Sequence, residues 1–460
     1  MRGAEGLLAE VMLPAGEIEL TIDDGVPVFA STFPIGARAA AALGACGVAA
    51  ALLWRDRTGR EQVVEVDARR AEVSLVSFLL QRLDGAATAF EGRALVGLYE
   101  CVDGRWIHLH GAFPGLAQRT VDVIGGRVDA DAVEVAHRVA AFDASALEDA
   151  LAAVGACGAM VRSAEEWAAH PQRTAIAPLG RVSIEKIADG PIVPVGDALR
   201  PLGGVRVLDL TRVLAGPACA RLLAEHGADV LHVNGEHLDN VPAFVMDTGH
   251  GKRSTSLDLR READVDLLRS LVRDGDVFSQ GYRSGALERR GFGPAQLAEL
   301  NPGIIAVTIN CYGDTGPWQQ RPGWEQLAQS VTGIAMAEGE RLDPPGKPRL
   351  VPAAAADYTT GYLAALGTMA ALRRRSTDGG AYHVRSSLCQ TATWIAEDGP
   401  CVDPTTATGL GDITPWLIEE PTPYGTLTHL TPVAQLSATP ARWAMPVVPL
   451  GTHPPTWPTR

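Results

Sequence analysis

Apolar and polar positions between residues 202 and 396 change period repeatedly, from two to about 3.6 and back. "GVRVLDL" opens the region, with Val205, Val207 and Asp209 alternating against Arg206 and Leu208, as in a strand. "TRVLAGPACARLLAEHG" follows. Pro217 suits a first helical turn and Gly227 a helix end. "ADVLHVN" reads as the next strand, so this compact βαβ unit predicts two parallel strands. "GDVFSQGY" (275–282) and "GIIAVTINCYG" (303–313) add strands with helices between them. The expected class is α/β, with a Rossmann-like open parallel sheet covered by helices. No GxGxxG fingerprint follows Asp209, which argues against a nicotinamide cofactor.

The flanks differ. Residues 36–201 mix Ala-rich helical stretches with short strands such as "VVEVD" and "RWIHLHG". From Pro400 to Arg460 there are 12 prolines in 61 residues, too many for a helical domain. Trp416, Leu430, Val433, Trp443 and Val447 in that stretch predict an extended strap lying on a globular body.

Sliding the chain by 320 residues lays 37–68 over 357–388, with nine of 32 positions identical, among them Gly47/Gly367, Arg55/Arg375 and Gly59/Gly379. Both segments read as a small-residue helix, a basic end, a glycine stop and a strand. Asp357 falls opposite Ala37, so only the second segment has the acid.

Composition narrows the function classes. The 460 residues are 46% hydrophobic and 20% charged, as in an ordinary globular protein. A net charge of −14 disfavours nucleic acid as a partner. Apolar runs look too short for a membrane span of roughly 18 residues. Glu5 and Glu10 interrupt what would be a signal core, so a cytoplasmic protein is expected. Seven scattered cysteines without a CxxC pair suggest reduced thiols and no zinc ribbon, and no metal is expected.

Asp357, at the mouth of "DYTTGYLAALGTMAALRRR", is the leading candidate for chemistry. A helix N-cap is one use for it, a carboxylate nucleophile in acyl transfer another. Gly361 next to it leaves room for a backbone or ligand to come close. Glu325, after a Pro-Gly turn, suits a first helical turn. Lys252, Arg253, Arg283, Arg289 and Arg290 are either solvated cations or anion contacts. His108 and His110 share a strand face, a spacing that packing explains as readily as a metal. No GxSxG supports a serine triad.

"PLGGVRVLDLTRVLAGPACARLLAEHGADVLHV", "GKRSTSLDLR", "GDVFSQGYRSGALERRGFG", "NPGIIAVTINCYGDTGPW", "WEQLAQSVTG" and "DYTTGYLAALGTMAALRRRSTDGG", in that order over 201–391, closely resemble the family III CoA-transferases. That group includes formyl-CoA and carnitine CoA-transferases and the α-methylacyl-CoA racemases. The resemblance implies that Asp357 is the catalytic aspartate, forming an acyl anhydride and then an aspartyl-CoA thioester, with Glu325 assisting. It implies that Val213, Leu214 and Ala215 form the loop approaching CoA, and that Lys252 and Arg289 contact its nucleotide. Arg253 and Tyr282 join them as CoA-binding candidates. Coenzyme A is then substrate and product, an acyl-CoA and a carboxylic acid are the partners, and the chain is a homodimer, possibly interlocked. Leu214 departs from the glutamine of formyl-CoA transferase, "VNGEH" from a Val-Glu-x-Pro-x-Gly pattern, and Trp324 from the catalytic histidine of the racemases. The shielding glycine-rich loop is not found.

"GLYECVDGRWIHLHGAFPGLAQRTVDVIG" and "AMVRSAEEWAAHPQ" resemble the family's small domain, which normally follows the large one. The expected layout is therefore a partial first copy (1–90), a small α+β domain (91–180), a linker (181–201), the CoA-binding large domain with Asp357 (202–399) and the Pro-rich strap (400–460). A single chain should supply one CoA site. The leading expectation is a CoA-transferase. An acyl-CoA racemase or isomerase using Asp357 as a base, and a non-catalytic CoA-binding scaffold, are the alternatives.

Overall fold

The computed structural model describes residues 2–88, 92–194 and 199–459. The expected boundary at 90/91 lies outside these. The first segment runs α1 (Arg2–Glu10), β1 (Leu20–Ile22), α2 (Ile35–Thr58), β2 (Val64–Val66) and α3 (Ala68–Ser74). β1 and β2 pair in parallel. Helix α2 is alanine-rich and buried around most of its circumference, as a helix with no polar face must be. Against the sequence expectation, it is long and apolar enough to cross a membrane; 89% of that window is buried within the protein. Core packing accounts for its composition.

The larger unit contains β3 (Val182–Ala188), β4 (Arg206–Asp209), α4 (Ala215–Glu225), β5 (Asp229–Asn234), β6 (Lys252–Ser256), β7 (Val277–Gln280), β8 (Ile305–Asn310), α5 (Glu325–Val331), α6 (Ala355–Asp378), β9 (Ala381–Ser387) and α7 (Leu388–Ile395). Seven strands form one sheet in the order β6-β5-β4-β7-β8-β9-β3. All neighbours from β6 to β9 are parallel, as the βαβ reading expects. β4 is buried at every position and β8 at all but its last, because helices cover both sheet faces. β3 joins β9 antiparallel as the edge strand. It occupies residues expected to be linker. Its exposed Glu185 and Lys186 are what an edge strand presents to water, and they hid the strand from a hydrophobic pattern.

Helices α2 and α6 are both 24 residues long and pack against each other. Each ends at a glycine of positive φ, Gly59 (φ 67°) and Gly379 (φ 62°), whose N–H donates to Arg55 O and Arg375 O respectively. A Cβ on Gly47 would lie 2.5 Å from Val64 Cγ1, and one on Gly367 2.7 Å from Val384 Cγ1. Both glycines thus let a helix settle onto the strand that follows it.

A three-stranded antiparallel sheet (Val96–Glu100, Trp106–His110, Gly158–Met160) with helices Pro114–Ile124, Ala132–Val139 and Ala144–Ala153 has its own apolar cluster. In the Pro-rich tail, β10 (Leu417–Thr422) and β11 (Gly425–Leu430) form an antiparallel hairpin, and β11 pairs with Arg82–Leu83. The expectation was an extended strap lying on a globular body. β10 is an edge strand, where the N–H that Pro421 lacks need not enter a ladder.

Candidate active site

Asp357 is the third residue of α6. The N-cap position is Ala354, and no side chain of that residue caps the helix. The capping oxygen comes from α5. Glu325 Oε1 accepts from Ala356 N–H (3.2 Å) and from Gln329 Nε2 (2.6 Å), while Gln329 Oε1 accepts from Val351 N–H (2.9 Å). A carboxylate 31 residues away thus satisfies one of the free first-turn N–H groups of α6, and Asp357 is not the cap. Among the described residues nothing hydrogen-bonds the Asp357 carboxyl group.

Both acids are perturbed upward. Burial pushes Glu325, 3% exposed, to about 7, with the Gln329 and Ala356 bonds pulling partly back. Burial, and then the neighbouring charge of Glu325, hold Asp357 well above the usual carboxylate range. Asp357 is nonetheless only half-buried, since one side opens onto a cleft. A partly desolvated carboxylate bound to no donor is a strong base and nucleophile when ionised.

The cleft holds about 480 Å³ and lies at the carboxyl ends of the parallel strands. Residues 210–216 after β4, 281–284 after β7 and 309–313 after β8 form one wall; Phe113, Arg119 and Cys157 of the small α+β unit form the other. Ligands bind open parallel sheets at such edges. Val213 holds φ at 72°, the left-handed region that a β-branched residue occupies at a cost of roughly 1–3 kcal/mol. This turn feeds Leu214 and Ala215 into the start of α4, whose N-terminal N–H groups border the cleft. Gly361 lets α6 approach α4: a Cβ there would lie 2.5 Å from Ala215 O. The room it leaves is taken by backbone.

Val213, Leu214, Ala215 and Tyr282 line the same cleft as Asp357. Glu325 stands behind it. Lys252, Arg253 and Arg289 are not among the lining residues. Lys252 is 3% exposed, its ammonium 2.8 Å from Asp209 Oδ2 and 2.8 Å from Pro217 O, so its donors serve the base of the βα unit. Arg253 donates to Thr456 O (2.7 Å), and Arg289 is exposed on a short 3₁₀ turn. The cations the cleft does present are Arg119, Arg212, Arg283 and Arg321. Arg321 pairs with Asp149 (2.7 Å). Arg212 stacks on Phe113 and has no ion-pair partner among the described residues. Its place three residues past Asp209, just beyond a strand end, was the available signal. His108 and His110 are core groups: His108 bonds Ser330 (3.2 Å), His110 stacks on Trp324, and burial lowers them to about 3 and about 4.

The profile of the group described as CoA-transferase family III matches residues 11–191 and 202–409. An acyl-CoA transferase of Gibberella moniliformis is 35% identical over 319 residues, 63% of this chain and 54% of that one. The acetyl-coenzyme A transferase nodX of Hypoxylon pulicicidum is 34% identical over 353 residues, 70% of this chain and 58% of that one. The chain therefore spans little more than half the length of either relative. Among solved structures, a CAIB/BAIF family protein from Brucella suis is 30% identical, with 43% of this chain and 56% of that one covered and a TM-score of 0.41.

Proposed function

The chain belongs to CoA-transferase family III, and we propose that it moves coenzyme A from an acyl-CoA donor to a carboxylate acceptor, with Asp357 as the covalent carrier. A carboxylate oxygen of Asp357 attacks the thioester carbonyl; the C–S bond breaks and CoA thiolate leaves a mixed anhydride. The thiolate then attacks the aspartyl carbonyl carbon, the anhydride C–O bond breaks, and the donor acid departs from an aspartyl-CoA thioester. The acceptor carboxylate repeats both steps in reverse, regenerating Asp357 and releasing the new thioester. No electron or net proton is exchanged.

The single observation that carries this reading is a half-buried carboxyl group with no hydrogen-bond partner among the described residues, in a cleft walled by strand ends and by Arg119, Arg212, Arg283 and Arg321. Arg212 and Arg283 supply charge for the CoA phosphates, and the Val213–Ala215 turn supplies backbone. Glu325 is a positioning residue, since it reaches Asp357 through the Ala356 N–H. Incubation with acetyl-CoA, hydroxylamine trapping and peptide mass spectrometry should place the adduct on Asp357. Solvent deuterium entering the α-carbon without an adduct would instead make Asp357 an isomerase base, a role its raised pKa also suits. Binding with neither outcome would leave a non-catalytic CoA binder.

The reading extends to the chain's history. The segment α1–β1–α2–β2–α3 is a fragmentary copy of the α5–α6–β9–α7 region, fused with its small domain ahead of the large domain. Support comes from a constant offset of 320, which takes Ile35–Thr58 onto Ala355–Asp378 and aligns Gly3, Glu5, Leu7 and Val11 with Gly323, Glu325, Leu327 and Val331. The enzyme is taken to be a cytoplasmic homodimer, which sedimentation of the purified chain and localisation of a tagged copy test.

A further inference from the structure

Away from the cleft, two histidines and a glutamate meet where the C-terminal hairpin lies on the larger unit. His250 sits in the turn before β6 and is 1% exposed; neither of its ring nitrogens has a hydrogen-bond partner among the described residues. His429 is on β11 and 3% exposed. Its Nδ1 lies 3.0 Å from Leu430 O, and a carbonyl only accepts, so Nδ1 carries the proton and Nε2 keeps its lone pair. That Nε2 is likewise without a hydrogen-bond partner among the described residues. Glu420 is on β10, and its Oε2 is 3.6 Å from His429 Nε2 and 3.8 Å from His250 Nδ1. These separations are too long for hydrogen bonds.

We propose that His250, His429 and Glu420 bind one divalent transition-metal ion of the zinc class, which clamps the C-terminal hairpin to the turn before β6. The three ligand atoms lie within 4.8 Å of one another. Ligands about 2.1 Å from a shared ion stand roughly 3.4 Å apart at a tetrahedral angle, so small side-chain shifts close the shell. Two imidazoles and one carboxylate suit that metal class. The Leu430 carbonyl is the outer-shell acceptor that fixes a ligating histidine's tautomer. A cavity of about 370 Å³ reaches Glu420 and His429, giving the ion an entry and its fourth position a water.

The test uses the full chain, stripped with chelator, reloaded with zinc or cobalt(II) and gel-filtered before elemental analysis. One equivalent should stay with the wild-type chain, and the cobalt form should show tetrahedral d–d bands. Glu420→Gln preserves the side chain's size and should weaken cobalt binding by about tenfold or more. His429→Ala should abolish it, whereas Cys401→Ser should retain it, excluding the one exposed thiol. The proposal is overturned if the wild-type chain retains no metal, or if retention is unchanged in both Glu420→Gln and His429→Ala.

Discussion

The mouths of α2 and α6 begin on one plan and end in opposite chemistry. At α2 the N-cap is Pro34, without a side-chain cap, and Ala37 is exposed where α6 has Asp357. A Cβ at Gly36 would collide with Glu72, whose carboxylate fills the mouth and accepts from Val28 N–H (3.1 Å) and Phe29 N–H (2.9 Å). At α6 the corresponding backbone is capped by Glu325, and Asp357 is left with no donor. Starting this helix thus needs no acid at that position. The buried acid at the first mouth is satisfied twice by backbone, while the half-buried acid at the second has no donor among the described residues. An acid without a donor, in a cleft, is what the nucleophile proposed here requires.

The largest effect that sharpens the contrast is on turnover. Asp357→Ala should lower transfer on the order of 10⁴-fold or more while CoA affinity changes little, measured by steady-state assay and calorimetry. Stability should move in opposite directions at the two mouths. Glu72→Ala strips one buried and one half-buried N–H group of their acceptor and should cost about 2–3 kcal/mol, whereas Asp357→Asn should gain roughly 1 kcal/mol at pH 8. Denaturant melts of the two variants compare these directly.

Glu325→Ala removes the cap and should cost about 1 kcal/mol and roughly tenfold in kcat, with Glu325→Gln recovering most of both because the amide oxygen still accepts. The pH dependence has a definite sign. A carboxyl group whose folded pKa exceeds its unfolded one binds more protons in the native state, so stability falls as pH rises between the two values. For Glu325 that window runs from 4.5 to about 7. Melts across it should slope downward in wild type and become shallower in Glu325→Gln, the remaining slope coming from Asp357. The smallest effect is expected from Ala37→Asp, an exposed change worth under about 0.5 kcal/mol, which should not restore transfer to Asp357→Ala. Restoration would break the contrast between the mouths.

Local pattern carried much of this. The parallel βαβ unit was legible from the alternation around Val205–Asp209, and the extents of α2 and α6 from their shared offset and glycine stops. Asp357 stood out because its counterpart is alanine. What escaped depended on distant partners. The cap from Glu325 crosses 31 residues, and Lys252 is engaged by Asp209, 43 residues earlier. β3 looked like linker because an edge strand wears charges, and His250, Glu420 and His429 meet only once the tail folds back.

Oxygen tracing tests the central claim most directly. During turnover with a carboxylate acceptor labelled with oxygen-18, the anhydride route leaves one acceptor oxygen on the enzyme, because the thiolate breaks the bond on the acceptor's side. Mass spectrometry of the peptide carrying Asp357 should show that heavy oxygen on its carboxyl group. Sustained turnover with no label at Asp357 would contradict the account.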